Sequence, residues 1–391
     1  MMSSGVPALD RVLSGGFVPG SVTLLGGEPG IGKSTLLAQV CLALAGKGDR
    51  VLYVSGEESP RQIERRLRRL SSTLPNALLC LESTRTEDIV HAITKESPAL
   101  TIIDSIQTLR SDDADGEPGH PSQIKVSSAK IAEIAKQRNA SVVLVGQVTK
   151  EGDVAGPRLL EHLVDTLLMM EGDRTGELRL LRTLKHRFGA TDPIAVFVLT
   201  ERGLEDVPDP SARLLAHRPA AAAGSVVSCF VEGNRPLLVE IQALVTPSGF
   251  ATPTRRSVGV DANRLTMVIA VLGRHAKMRL HDQDIFVNVV GGFEPQDPSV
   301  DLAIALAICS AKADVALASD VVAWGEIGLA GELRPVARNE ARINEAAQHG
   351  FTTMIASCGT PSVKHTGVTM KSVTRLAEAI ELLSLSVPGR L

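Results

Sequence analysis

The first half of the chain alternates two apolar patterns. Short runs with almost no polar interruption, "SVTLLGG" (Ser21 to Gly27), "RVLYVSG", "ALTIIDS" and "ASVVLVGQ", read as buried strands. Helical runs separate them; "KSTLLAQVCLALAGKG" is a helix that closes on a glycine stop signal. Strand and helix recur at βαβ spacing, which predicts a mostly parallel sheet covered on both faces. Further on, "DTLLMMEG" and "ELRLLRTLKHRFG", separated by "DRTG", predict a hairpin-like edge. Two stretches have no period: acidic, Gly/Pro-rich "SDDADGEPGHPSQ" (Ser111 to Gln123) and "TKEGDVAGPR" (Thr149 to Arg158). Both follow strand ends on the edge where open α/β sheets bind ligands, so both are expected to be mobile functional loops.

"EDVPDPSARLLAHRPAAAAG" (Glu205 to Gly224) is rich in Pro, Ala and Gly, and residues 209–224 are expected to link two domains. The pattern then restarts. "VVSCFVEG" and "PLLVEIQALVTP" predict strands, as does "DIFVNVVGG"; "VVAWGEIGLAGELRPV" predicts two short ones. "ANRLTMVIAVLGRHAKM", "SVDLAIALAICSAKAD" and "NEARINEAAQHG" predict helices. The expected organisation is an α/β domain over 1–208 and an α+β domain over 225–391.

Composition narrows the class. The 391 residues are 44% hydrophobic and 22% charged, enough for two full cores. No run approaches the ~18 apolar residues of a membrane span, and the N-terminus lacks the basic-then-apolar order of a signal peptide, so no membrane partner and a cytoplasmic location are expected. Five cysteines far apart argue against a zinc site or a disulfide framework, and each is expected to be buried as a small apolar residue. The net charge of −3 does not demand a nucleic-acid partner; any contact would have to come from local patches. Aromatics at 3% argue against a base-stacking platform.

The strongest chemical signal is Gly27-Glu28-Pro29-Gly30-Ile31-Gly32-Lys33-Ser34, followed by Thr35. It matches G-x-x-x-x-G-K-[ST] and sits between a predicted strand and a predicted helix. Glycines let backbone N–H groups turn inward around phosphates, and the helix N-terminus adds positive partial charge. Lys33 is expected to neutralise the β- and γ-phosphates of ATP, and Ser34 to ligate Mg²⁺. "LTIID" ends on Asp104, the expected carboxylate on the Mg²⁺ side. Glu57 and Glu58 in "VSGEES" can orient and deprotonate an attacking water. Gln147 ends the fourth strand, where an amide can sense the γ-phosphate.

Two basic clusters stand out. In "KHRFG", Lys185 and Arg187 share one side of a strand and His186 takes the other; Phe188 is expected to anchor the turn. "RQIERRLRRL" (Arg61 to Leu70) carries five arginines off an apolar stripe of Ile63, Leu67 and Leu70, which reads as a solvated helix face, with a nucleic-acid phosphate-backbone contact as the alternative.

Taken together, "GVPALDRVLSGGFVPGSVTLLGGEPGIGKSTLL", "YVSGEES", "GQVTKEG" and "KHRFG" resemble the bacterial RadA (Sms) family of DNA-repair proteins, RecA-related ATPases, over nearly the whole chain. The family reads K-N-R-F-G in the last motif; His186 takes the Asn place. Its members usually begin with a four-cysteine zinc finger, which these residues do not contain, so no zinc is expected in this chain. The resemblance implies a RecA-like fold, ATP or ADP with Mg²⁺, and a homo-hexameric ring with nucleotide between subunits. It puts Lys185 and Arg187 near the interface, reaching a neighbour's γ-phosphate or DNA. It implies a DNA-dependent ATPase and helicase in homologous recombination, branch-migrating single-stranded and branched DNA beside a RecA-type recombinase.

"GGFEPQDPSVDLAIALAICSA" and "WGEIGLAGELRPVARNEARINEAAQHGF" resemble the proteolytic domain of Lon. There Ser299 falls at the nucleophile's place and Glu340 at the lysine's, which implies a non-proteolytic scaffold in which Ser299 caps the helix it precedes. Arg255, Arg256, Arg264, Arg274, Lys277 and Arg279 are its candidate DNA cations. Two alternatives stand beside the motor: an ATP-dependent Ser–Lys protease, and a nucleotide-switched ATPase that moves nothing.

Overall fold

The computed structural model describes residues 1–147, 160–172, 178–250, 252–359 and 367–384, which fall into two compact units, Met1–Pro208 and Asp209–Leu391. The first is built on nine strands: β1 (Val22–Gly27), β2 (Val51–Ser55), β3 (Leu78–Glu82), β4 (Leu100–Asp104), β5 (Ser141–Gln147), β6 (Thr166–Glu171), β7 (Leu178–His186), β8 (Ile194–Thr200) and β9 (Gly203–Asp206). They lie in the order β3-β2-β4-β5-β1-β6-β7-β8-β9. Pairings from β3 to β6 are parallel, and those from β6 to β9 antiparallel. The expected hairpin of β6 and β7 is therefore not the edge, because β8 and β9 extend the sheet beyond it.

Helices α1 (Pro7–Val12), α2 (Lys33–Gly46), α3 (Pro60–Leu70), α4 (Thr86–Glu96) and α5 (Pro121–Arg138) cover this sheet. Successive strand residues enter different cores. Val51 and Tyr53 join Leu36, Val40, Ile63 and Leu67 on the α2–α3 side, whereas Leu52 and Val54 join Ile89, Ile93, Ile124 and Ile131 on the α4–α5 side. Period-two side chains buried on both faces are what an uninterrupted apolar run produces. This arrangement brings the carboxyl ends of β1, β2, β4 and β5 to one edge.

The stretch 111–123 is shorter as a loop than expected, since α5 starts at Pro121. It is also anchored. Gln123, 3% exposed, accepts from the Ser111 N–H at 2.7 Å and donates to the carbonyls of Ser111, Ala114 and Gly116. Residues 149–158 lie outside the described residues.

In the second unit, β10 (Ser225–Glu232), β11 (Arg235–Pro247), β12 (Arg255–Val258), β13 (Gln283–Val289), β14 (Val321–Trp324), β17 (Thr353–Ser357) and β18 (Thr369–Val373) form a mixed sheet in the order β12-β13-β11-β10-β14-β17-β18. The short β15 (Glu326–Ile327) and β16 (Leu333–Arg334) pair apart from it. The helix Asp301–Ala313 is buried through its first ten residues and packs on β10 and β11. The helix Asn339–Gln348 closes a core around Trp324. Within the expected linker, Pro210–Leu215 forms a helix capped by Asp209, with Leu214 buried.

Three cysteines are buried, Cys41, Cys229 and Cys309, and burial pushes the Cys309 thiol up to about 12. The expectation fails at Cys80, exposed on edge strand β3, and at Cys358, half-buried. No described helix is long and apolar enough to cross a membrane.

Candidate active site

The phosphate loop runs from the end of β1 into the first turn of α2. Gly30 and Gly32 have φ of +79° and +119°, values that favour glycine. Gly27 lies so close to β6 that a Cβ would stand 2.5 Å from the Met170 carbonyl oxygen. Pro29 and Gly30 are exposed, Glu28 and Thr35 half-buried, and Ile31 buried with its carbonyl accepting from Arg179 Nε. Lys33 is 6% exposed and its ammonium donates to the carbonyls of Gly27 and Glu28 at 2.8 and 2.9 Å. Burial pushes its pKa down, while the carboxylates of Asp104, Glu57 and Glu28 oppose that shift.

Ser34 Oγ donates to Asp104 Oδ2 at 2.7 Å. A hydroxyl and a carboxylate in contact, beside a buried ammonium and inward-turned glycines, are hard oxygen donors that fit Mg²⁺ carrying a triphosphate. Bound Mg²⁺ would neutralise charge on the transferred phosphoryl group. Tyr53 Oη donates to the same Asp104 oxygen at 2.9 Å. Burial and the Asp104 charge push the tyrosine's pKa well above its ordinary value, so it stays a donor.

The two glutamates after β2 are not equivalent. Ser55 Oγ accepts from both their N–H groups, at 3.3 and 2.9 Å, and so shapes the turn. Gly56 packs against the segment after β4, where a Cβ would stand 2.1 Å from Thr108 Oγ1. Glu57 Oε1 accepts from Ser105 Oγ at 2.9 Å and from Gln147 Nε2 at 3.4 Å, both neutral donors. Glu58 is ion-paired to Arg66 of α3. Ser55, Glu57, Glu58, Arg66 and Gln147 line one cleft of about 200 Å³ with Pro29, Gly30, Lys33, Ser34 and Asp104.

Arg66 and Tyr53 are the site residues that sequence reasoning missed. A signal existed for Arg66. At 100° per residue it lies about 65° from the centre of the Ile63–Leu67–Leu70 stripe, and the other four arginines lie beyond 120°. Those four are exposed, as a solvated face requires.

Lys185 and Arg187 lie apart from the cleft. His186 pairs with Thr166 at the start of β6, whereas the phosphate loop leaves beside Met170 near its end. The four intervening steps of the strand span about 13 Å. Lys185 donates to the carbonyls of Glu161 and Val164, and Arg187 pairs with Asp165 at 3.0 Å. His186, between them, contacts Thr166 Oγ1 and the Leu13 carbonyl. Phe188 does not anchor the turn; it is 42% exposed and meets the His186 ring edge-on.

In the second unit the expected roles change. Ser299 does not cap the helix; it lies in the 3₁₀ turn Pro298–Val300 that leads into it, and Asp297 caps that turn, its carboxylate accepting from the Ser299 N–H at 3.0 Å. Ser299 is fully buried and accepts at 2.9 Å from Arg342, whose guanidinium also pairs with Asp297 at 2.5 Å. Glu340 is exposed, so it is Arg342 that stands at the serine. A guanidinium does not lose its proton and cannot activate a hydroxyl. Of the candidate DNA cations, Arg264 is paired with buried Asp301 and Arg279 with Asp282.

A phosphate loop on the first strand of a parallel sheet, with Asp104 and Glu57 at the ends of neighbouring strands, defines a RecA-like P-loop ATPase, followed here by an α+β Lon-protease-like domain. Residues 3–153 match the AAA domain family, and residues 254–359 match the family of subunit ChlI of Mg-chelatase. The DNA repair protein RadA of Pseudomonas aeruginosa is 46% identical over 97% of this chain and 84% of its own length. Those of Aquifex aeolicus and Escherichia coli are each 44% identical over 97% of this chain, and over 85% and 82% of theirs. The chain belongs to the RadA family of DNA repair proteins.

Proposed function

We propose that the chain is an ATP-driven motor acting on single-stranded and branched DNA in recombination and repair, as a cytoplasmic homo-hexameric ring beside a RecA-type recombinase. The observation that carries it is the meeting of Lys33, Ser34, Asp104 and Glu57 in one cleft. In this reading Lys33 and a Mg²⁺ held by Ser34 and Asp104 bear the triphosphate. Glu57, held by neutral donors, accepts the proton of the attacking water. Gln147 touches Glu57 and precedes the stretch Thr149 to Arg158, so loss of the γ-phosphate is felt where DNA would be gripped. Lys185 and Arg187 stand a strand's length from their own phosphate loop, which favours action on a neighbour's nucleotide. The protease alternative is disfavoured by Arg342 at Ser299.

The test is turnover of ATP with and without single-stranded DNA, run beside sizing of the assembly. The parent should be stimulated by the DNA and elute as six subunits. Lys33→Ala should lose at least about 100-fold in turnover. Turnover indifferent to DNA would favour the nucleotide-switch reading, and undiminished turnover in Lys33→Ala would remove the site.

A further inference from the structure

Glu57 and Glu58 are adjacent carboxylates beside a site for a polyanion. Two unpaired carboxylates there would repel each other and the phosphates. Among the described residues, the charged groups facing them are Lys33, Glu28 and Asp104 around the phosphate loop, and Arg66 on α3. Lys33 is held by loop carbonyls. Among the charged side chains of the described residues, Arg66 is the one hydrogen-bonded to the pair, and it selects Glu58.

Arg66 also makes a second contact. Its other terminal nitrogen lies 3.4 Å from Tyr53 Oη, which donates to Asp104 Oδ2, the atom that accepts from Ser34. One guanidinium thus ties the glutamate turn to the pair expected to hold Mg²⁺. The guanidinium's planar fork suits this double role, where an ammonium would make a point contact. The helix holds it there: Ile63 and Leu67 are 1% and 2% exposed, and a Ser59–Gln62 capping box fixes the first turn.

We propose that Arg66 is a positioning residue for nucleotide hydrolysis, acting within its own subunit: it neutralises Glu58 and braces Tyr53 against Asp104, leaving Glu57 as the carboxylate free to receive the water proton. This rests on the ATPase reading above and adds a residue to it. Glu58 is then a counter-ion and not a base.

The test is a double-mutant cycle on the full chain. It measures kcat, KM for MgATP and thermal melting for the parent, Arg66→Met, Glu58→Gln and the double variant, with Lys33→Ala as control. Arg66→Met uncovers the Glu58 charge and should lower kcat about tenfold. Glu58→Gln should lower kcat less than Arg66→Met does, and in the Arg66→Met background it should restore kcat to the level of Glu58→Gln alone. Arg66→Lys keeps the charge and should fall between the parent and Arg66→Met. Rescue separates a charge-balancing role from loss of structure, since removing a second partner does not mend a misfolded site. A double variant no better than Arg66→Met overturns the proposal. So does a KM raised more than about tenfold at unchanged kcat, which would make Arg66 a phosphate ligand. A parent no faster than Lys33→Ala would instead overturn the ATPase reading itself.

Discussion

Arg342 is 2% exposed, and its guanidinium is hydrogen-bonded to Asp297, Ser299 Oγ, and the carbonyls of Cys229 and Ala337. Burial alone would push the Asp297 pKa up, but the Arg342 charge, with hydrogen bonds from Arg342 and from the Ser299 and Val231 N–H groups, holds it below the ordinary carboxylate value. A carboxyl lowered in the folded state stabilises above its unfolded pKa of about 3.9 and ceases to do so as pH falls through the folded value. Near neutrality the pair is fully ionised, and removing one partner strands a buried charge. Arg342→Met should therefore destabilise the second unit by about 3–5 kcal/mol. Trp324, the chain's one tryptophan, donates to Asn339 on the same helix and reports this directly. Its urea unfolding transition should move to clearly lower denaturant. An unmoved midpoint would show that the pair is not balanced as described.

One level up, the segment after β4 illustrates how an element is held by side chains outside it. Beyond Gln123, Lys130 of α5 reaches Glu87 at 2.7 Å and Asp113 at 2.6 Å. Burial works against ionising Glu87, yet hydrogen bonds from Lys130 and Ser111 hold its pKa down to about 2. This brace is intact at neutral pH and weakens only as pH falls from about 4 toward 2. Gln123→Ala removes one acceptor and leaves three carbonyls short of a donor, a loss of about 1–3 kcal/mol locally. Amide exchange over residues 111–116 should accelerate about tenfold or more, read by hydrogen–deuterium exchange. Unchanged exchange would mean that Lys130 holds the segment unaided. Composition gave no hint of this, because an acidic Gly/Pro-rich stretch looks the same whether or not the buried amide at its far end, twelve residues after Ser111, engages it. The strands around the phosphate loop were legible because both their faces are buried. Strand β3 was not: it lies at the edge, half-exposed, and its "LLCLE" lacks a clear period. Lys33, Ser34 and Asp104 could be read from motif and context, while Tyr53 and Arg66 enter the site only through packing of α3 on β2. Arg342 was missed for a related reason, since a helix turn, and not sequence adjacency, decides whether residue 340 or 342 faces Ser299.

For the whole molecule the question is how many chains make one active site. A cation needed at the γ-phosphate cannot come from Lys185 or Arg187 of the same subunit without crossing the sheet. Arg187 is also not irreversibly committed to Asp165. Its side chain is half-exposed, so the pair contributes about 0–1 kcal/mol, and Asp165 keeps the Val22 N–H at 3.0 Å when the arginine leaves. Arg187→Ala should therefore fold, and should lose turnover only if the guanidinium completes a neighbour's site. Mixed oligomers decide this. Co-expressed subunits carrying Lys33→Ala and Arg187→Ala are each inactive alone in this reading. In a closed head-to-tail ring, an intact Lys33 faces an intact Arg187 only at junctions with one of the two orders of unlike subunits. With equal, random mixing about a quarter of junctions are of that kind, so turnover should return to about a quarter of the parent's at most. If both residues served the same subunit, no mixture could regain activity, because every subunit would lack one of them. Regained turnover in the separately tagged, doubly purified mixture would place the active site between chains; none would confine it to one.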